Sequence, residues 1–509
     1  MTAGKALDGK PYAGNPHVRF DEGEVASATP RRGSLLYKKI RIIGAAVAVA
    51  AYTHVAKAAV ECTYENDNKT LVATVTDADA TLTTSAADQA WFTSDLTNFV
   101  KRGTKTLNVW ENVANSFTGD IRVEDTGNLL FYGNALGVNR AQGEIQIHRG
   151  HIVVNANGRT VTFAKNVAFG FGGAWDDKIF EVWNDRTSII SGKVTTGDRN
   201  ALVLVYKNSS LSLTGGVEDP AADTAGYFYI GAHNAGAKVT FSGKPVVVKY
   251  PIYFPFQNYH VNNTDDYRDA SGYIGHITFS VAGNKMKALG YDNGSTNARL
   301  RYHELKTTVD WAFDKPDMTI FLGEEAKWDL CGTTQRVGQF NVRVPDGRSP
   351  SIVTNSSATP AKLYMGQIFN YTNGSLPPDI RFGGDLSVEF IGNIWTTRVD
   401  HVMTTTGNLT IAGDGNRASE LWFMENGSWA NAKNVTVNGN GKMKIANPNA
   451  LGKRANLSLA SNSSLEIASG VTVQVRTLTV GGVQKPNGDY TFGSGTLRVF
   501  KPGMVVSIH

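Results

Sequence analysis

The chain has 509 residues, 53 of them glycine, with 41% hydrophobic and only 19% charged side chains. That hydrophobic share is enough for a long continuous core and excludes bulk disorder, while abundant Gly, Asn, Ser and Thr favour turns and short strands over helices. The formal charge of +5 is confined to the start: Met1 to Ala58 carries nine Lys or Arg against four acids, which leaves 41 of each sign in the remainder. A formally neutral body gives no electrostatic reason to expect nucleic acid or an anionic membrane as partner.

Lys38, Lys39 and Arg41 precede the apolar run Ile42 to Tyr52 (IIGAAVAVAAY), and Ala56-Lys57-Ala58 supplies a small-x-small cleavage site before Ala59. The run is short for a helix that spans a bilayer. Residues 1–58 therefore read as an export-signal region, with the signal peptide over residues 36–58. Residues 1–35 are too long and too acidic for an ordinary basic leader, and the next methionine is Met286. The expectation is a start at Leu35 or Leu36 through a non-ATG codon. Export places the protein outside the cell, on its surface or in the periplasm, with no integral membrane span after cleavage. Cys62 and Cys331 would then meet an oxidising compartment, and their distance in sequence leaves their pairing open. Two cysteines and ten scattered histidines form no metal-ligand pattern, so neither metal nor cofactor is expected.

Ala87 to Lys101 (ADQAWFTSDLTNFVK) reads as a helix with Trp91, Leu96, Phe99 and Val100 on one face. It falls in an N-terminal cap, residues 59–110, of the kind a strand stack needs to protect its end. Short alternating strands follow: Ile121/Val123, Leu129/Phe131, Ile145/Ile147, Ile152/Val154 and Val161/Phe163, with corners such as Gly133-Asn134 and Asn157-Gly158. Leu202/Leu204, Leu211/Leu213, Val239/Phe241 and Val246/Val248 continue the series. Strands this short and dense fit either a β-solenoid or a set of β-sandwiches; their brevity and the scarcity of Pro-punctuated hairpins favour the solenoid. Residues 111–400 read as its body, with irregular loops around 250–301, and residues 401–509 as regular repeats.

The densest acidic group is Asp176-Asp177 with Glu181 and Asp185, in GGAWDDKIFEVWNDR. Paired carboxylates can bind Ca²⁺ or carry out acid/base cleavage of a sugar; the plainer reading is a solvated strand rim beside two tryptophans. Asp265-Asp266 with Arg268 is a similar case, either a turn or an acidic site followed by the cations Lys285, Lys287, Arg299 and Arg301 that a lyase would need beside its base. Between them, Tyr227, Phe228, Tyr229, Tyr250, Tyr253, Phe254, Phe256 and Tyr259 place eight rings within 33 residues. Exposed in a row, Tyr250, Tyr253, Phe256 and Tyr259 would stack on sugar faces. Turned inward they would form coil-on-coil core ladders, which is the favoured reading. Asn-x-Ser/Thr triplets, as at Asn208 and Asn408, are expected to be incidental to corners rich in these residues.

Two C-terminal patterns carry the architecture. Trp328 to Phe340 reads WDLCGTTQRVGQF: Leu330 should point inward, Gly332 turn a corner, Gln335 bond backbone or an Asn ladder, and Val337 begin the next buried strand. Farther on, Asn434 to Asn447 (NVTVNGNGKMKIAN) and Asn456 to Ser469 (NLSLASNSSLEIAS) repeat at an offset of 22 residues. Each copy holds two short strands, Val435/Val437 and Met443/Ile445, then Leu457/Leu459 and Leu465/Ile467. A period in this range is what a β-solenoid requires.

Trp328 to Phe340 resembles the LDLNGxxQxVGxL element of the autotransporter-associated β-helix repeats of secreted bacterial passenger proteins. Asp329, Leu330, Gly332, Gln335, Val337 and Gly338 match, while Trp328, Cys331 and Phe340 replace Leu, Asn and Leu. Asn447-Pro448-Asn449-Ala450-Leu451-Gly452, followed by Leu457-Ser458-Leu459, is similar to the family's NANALGxGxLTL segment. The resemblance implies an all-β, right-handed parallel β-helix or β-solenoid and an exported location, with structural rather than catalytic roles for the matched residues. Repeats running to Val499 imply a passenger-like protein without the C-terminal membrane barrel. The expected function is that of a surface or secreted structural or adhesive protein, with extracellular glycans or cell-surface components as partners. The alternative is a β-helical polysaccharide lyase, glycoside hydrolase or glycan binder with its site among residues 176–301. Such an enzyme predicts charged side chains from successive coils converging in one groove; a scaffold predicts scattered charges and flat faces.

Overall fold

Alternating apolar and polar residues bury every second side chain of a strand, and corners rich in Gly and Asn let the chain turn after each one. The computed structural model describes residues 60–500 apart from 157, 171–177, 184, 198–200, 221–226, 233–234, 255–267, 292–298, 346, 371–376, 393–395 and 414–416. A long sheet of parallel strands runs from Ala80–Leu82 through Lys178–Val182 and Thr334–Val342 to Thr477–Val480. A second sheet runs from Thr160–Phe163 to Ile380–Gly384, and a third from Thr70–Thr74 to Val246–Val247. Toward the C-terminus Thr397–Val399, Glu420–Phe423, Lys442–Ile445 and Ser464–Ile467 form a further sheet. The described residues form a parallel β-solenoid of about 15 turns with almost no helix. Parallel pairing gives way to antiparallel at both ends of the described stack, at Glu61–Glu65 against Thr70–Thr74 and at Gly488–Phe492 against Gly495–Val499. The expected export signal lies outside the described residues. No helix among those described is long and apolar enough to cross a membrane.

The 22-residue doublet is one full coil. Asn434 pairs with Asn456 and Val437 with Leu459 in the long sheet, while Met443 pairs with Leu465 and Ile445 with Ile467 in the C-terminal sheet. The Trp328–Phe340 segment also behaves as its pattern requires. Leu330 and Gln335 are fully buried, and Gly332 takes the left-handed conformation, φ +82°, that a corner needs. Nε2 of Gln335 donates to the Val309 carbonyl and to Thr333 Oγ1, both at 2.8 Å, and its Oε1 accepts from the Phe313 amide at 2.8 Å. Trp328 and Phe340, larger than the leucines of the pattern, are accommodated in an inner aromatic ladder. Phe279, Phe313, Trp328, Phe340, Phe382 and Trp429 follow one another with centroids 4.9, 5.8, 5.7, 6.4 and 5.4 Å apart.

Three expectations are corrected. The helix over Ala87–Lys101 shrinks to one turn, Ala86–Gln89, capped by Ser85, whose Oγ accepts the Asp88 amide at 3.2 Å. Thr93, Ser94, Asp95, Thr97 and Asn98 are weak helix formers, and burial of Phe99 wins: it enters the strand Asn98–Arg102, between Thr70–Thr74 and Asp120–Val123. Leu202 and Leu204 do not face the core. In Ala201–Val205 the inward residues are Ala201, Val203 and Val205, because an unbroken apolar run carries no parity signal and its neighbours choose the register. The third concerns the aromatic run, described below. Cys62 and Cys331 are free thiols, both pushed up to about 11 by burial.

The outer face of the long sheet as candidate functional site

Register stacks the outward residues of the long sheet into columns. One column holds Asn128, His151, Ile179, Leu202, Tyr229 and Tyr253; the next holds Leu130, Val153, Glu181 and Leu204. Just past each strand come Trp110, Tyr132, Asn155, Trp183 and Tyr206, whose amides donate to carbonyls one coil earlier. Between Asn128 and Tyr253 aromatic and aliphatic side chains thus dominate this face, and Leu130, Val153, Ile179 and Leu204 are buried there, whereas outward strand positions are ordinarily polar and solvated.

The same parity divides the aromatic run. Phe228 and Phe254 are core residues, as the ladder reading expected. The tyrosines instead gather outside, where each ring can pack while its hydroxyl reaches polar surroundings. Tyr253 lies at the centre, with centroids 4.8 Å from both Tyr227 and Tyr229 and 5.1 Å from Tyr291; Tyr250 meets Tyr227 at 5.4 Å. Exposure falls from 38% at Tyr250 to 4% at Tyr253. Burial, then the nearby Tyr227 phenol, push the Tyr229 hydroxyl up to about 12, so it stays a neutral donor and acceptor at ordinary pH. Of the four rings weighed as a sugar-binding row, Tyr250 and Tyr253 belong to this cluster, while Phe256 and Tyr259 lie outside the described residues.

Beside the cluster sits an acid–base pair. The Glu181 side chain is 9% exposed and that of His151 27%, and Nδ1 of His151 donates to Glu181 Oε1. Trp183 Nε1 donates to Oε2 at 3.0 Å, and Tyr206 supplies a further hydrogen bond. Burial would raise the Glu181 carboxyl, yet the His151 bond, supported by Trp183 and Tyr206, holds it below the usual carboxylate range. An ionised Glu181 fixes Nδ1 as the ring nitrogen that donates to it. Asp185, close in sequence, is elsewhere: it occupies a corner at φ +58° and accepts Asn208 Nδ2 at 3.0 Å. Asp176, Asp177, Asp265 and Asp266 lie outside the described residues.

A second convergence of charge occurs on the second sheet, where Lys238, His276, Glu304 and Lys327 share an outer row. His276 bridges Glu304 Oε2 at 2.9 Å and Asp269 Oδ2 at 2.5 Å, and Lys306 and Lys327 each reach Glu304 at 2.9 Å. Burial opposes ionisation of Glu304, but hydrogen bonds from His276, Lys306 and Lys327 hold its carboxyl far below the usual range. Both His276 nitrogens are occupied, so the cluster is a lateral charge ladder with no free base. Of the cations proposed for a lyase, Lys285 and Lys287 are exposed, Arg301 pairs with Glu324, and buried Arg299 donates to the Leu322 and Asn341 carbonyls at 3.2 and 3.0 Å; Arg268 pairs with Glu325.

His151, Tyr206 and Tyr291 are among the members of the face that sequence reasoning missed. The alternation in Gly150–Val154 places His151 outward once Ile152 is taken as core, but nothing local pairs it with Glu181 thirty positions on. Among the described residues no group of three or more His, Cys, Asp and Glu is placed to hold a metal ion. Comparison of the chain with protein-family models, with curated proteins and with solved structures finds no match.

Proposed function

We propose that the chain is an exported, passenger-like β-solenoid acting as a surface or secreted adhesive protein, and that it contacts carbohydrate through the tyrosines of the long sheet. The observation that carries this reading is the mutual contact of Tyr227, Tyr229, Tyr250, Tyr253 and Tyr291 on one outer face. Around buried Tyr253, exposed Tyr250 and the half-buried Tyr227, Tyr229 and Tyr291 offer apolar ring surface to the C–H groups of a sugar and hydroxyls to its polar edge. The continuous stack supplies the rigid support an adhesive surface needs. Export rests on the signal pattern before Ala59 and on the resemblance to secreted passenger repeats.

A glycan-array screen of the mature protein tests the binding. Recognition of carbohydrate, lost in Tyr227→Ala and Tyr229→Ala variants that keep the wild-type circular dichroism, is the expected result; a wild-type protein that binds no glycan overturns it. N-terminal sequencing of exported protein should begin at Ala59, and an intact Met1 would remove the export reading. The alternative, a polysaccharide-active enzyme, draws on the Glu181–His151 pair. Cleavage of a polysaccharide, abolished by Glu181→Gln or Asp177→Ala, would put it in place of the adhesive reading.

A further inference from the structure

We infer that the tyrosine cluster is a site of oxidative cross-linking, at which a one-electron oxidant of the peroxidase class joins the ring of Tyr253 to that of Tyr227 by a carbon–carbon bond. Such linkage is independent of carbohydrate binding, although the same rings are involved. Tyr227 stands just before the strand Phe228–Ala232, and Tyr253 lies in Ile252–Tyr253, which pairs with that strand, so the bond staples two successive coils. The two ring centroids are 4.8 Å apart with the planes inclined at 62°, and the hydroxyls are within hydrogen-bonding reach of each other. In a phenoxyl radical the reactive ring carbons flank the one that bears oxygen, so phenols that meet through their hydroxyls bring those carbons together. Among the described residues, ring contacts between tyrosines occur only in this cluster.

Tyr253 is 4% exposed, and the oxidant need not touch it. Tyr250 is 38% exposed and its ring lies 5.4 Å from that of Tyr227, which in turn meets Tyr253. A radical formed at Tyr250 passes inward by exchange of an electron and a proton between like phenols. Burial of Tyr253 then serves the coupling: Tyr227, Tyr229 and Tyr291 surround its ring, which keeps it against its partner and away from other molecules. Each of the two phenols gives up one electron and one proton, and hydrogen peroxide takes both pairs and leaves as two waters. The two radicals couple through ring carbons, and the hydrogen on each coupled carbon moves to oxygen as the rings regain aromaticity. The cysteines compete poorly for the oxidant, since burial pushes the Cys62 and Cys331 thiols up to about 11 and neither is a thiolate at neutral pH. The closed loop between Tyr227 and Tyr253 restricts the unfolded chain as a disulfide would.

The test treats the dilute mature protein with a haem peroxidase and hydrogen peroxide, and follows dityrosine fluorescence, electrophoretic mobility and the masses of proteolytic peptides. The expected product fluoresces, still runs as a monomer and melts at a higher temperature than the untreated protein. Its digest should contain a peptide pair joined between Tyr227 and Tyr253, lighter than its parts by two hydrogens. Tyr253→Phe keeps the packing and removes the phenol; it should abolish this linkage, as should Tyr227→Phe, with circular dichroism confirming that both fold. Tyr250→Phe should slow the linkage and leave its position unchanged. Coupling confined to dimers, a monomer in which Tyr227 and Tyr253 stay unlinked, or an equal fluorescence yield in Tyr253→Phe overturns the inference. Glycan binding is decided separately, on the untreated protein.

Discussion

Asn456 donates from Nδ2 to Oδ1 of Asn434, 3.0 Å away on the preceding coil, and Asn434 makes the same bond to Asn408 at 2.9 Å. Thr477 ends the series by donating to Asn456 Oδ1 at 2.9 Å. The ladder explains the triplets that begin at Asn408, Asn434 and Asn456. They are strand segments rather than corners: asparagine binds its neighbours along the stack, and Thr410, Thr436 and Ser458 line the column beside it. Replacing Asn434 by Ala removes two of these bonds and should lower the unfolding free energy by about 1–2 kcal/mol. Denaturant titration checks the value; an unchanged midpoint would mean the ladder is decorative.

Gln335 should be far less replaceable. It is fully buried and serves the Phe313 amide, the Val309 carbonyl and Thr333 together. Gln335→Leu keeps the volume but strands a backbone donor and a backbone acceptor, at a cost of about 1–3 kcal/mol each. Urea unfolding should register a loss at least twice that of Asn434→Ala.

The inverted register of Ala201–Val205 has its own test. Val203→Ala empties a core position and should cost about 2–3 kcal/mol, whereas Leu202→Ala, on the outer face, should cost less than about 1 kcal/mol. The opposite ranking in thermal melts would restore the leucines to the core.

The pH dependence of stability should carry the mark of His276. Its hydrogen bond to Glu304, reinforced by Asp269, raises its imidazole above the ordinary value of 6.5 despite burial. A group whose folded pKa is raised contributes stability that is full below its unfolded pKa and is lost as pH rises through the folded one. The Glu304 and Asp269 carboxyls are depressed, so their contributions hold at neutral pH and fade only in acid. Lys238, His303, Lys306, Lys327, Asp329 and Tyr273 are the other charged or titratable groups around His276. The melting temperature should therefore fall as pH rises from mildly acidic to alkaline. That slope should be reduced in His276→Gln, and an equal slope in the variant would assign the effect elsewhere.

Where strands alternate strictly and repeat, as from Asn434 to Ile467, the chain could be read down to register, because each coil buries the same pattern as the last. The corner at Gly332 and the buried Gln335 were legible for the same reason. The reading failed where local signals were weak or outweighed. Ala201–Val205 is apolar throughout, and the segment before Phe99 had a helical face but the wrong residues to hold a helix. The tyrosine cluster was half visible, since composition announced the rings but parity alone separated Tyr229 from Phe228. The His151–Glu181 pair was invisible as a pair, because its partners meet only when a coil of this length closes.

Strand brevity, polar corners and the 22-residue repeat, properties of the chain taken alone, favoured a stacked β-solenoid over sandwiches, since a short repeat buries the same inward positions on every coil. Which outward side chains touch was decided by coil length and strand register, and these depend on the packing of every coil against its neighbours. The Tyr253–His151 column and the carboxylate beside it therefore exist only in the folded stack.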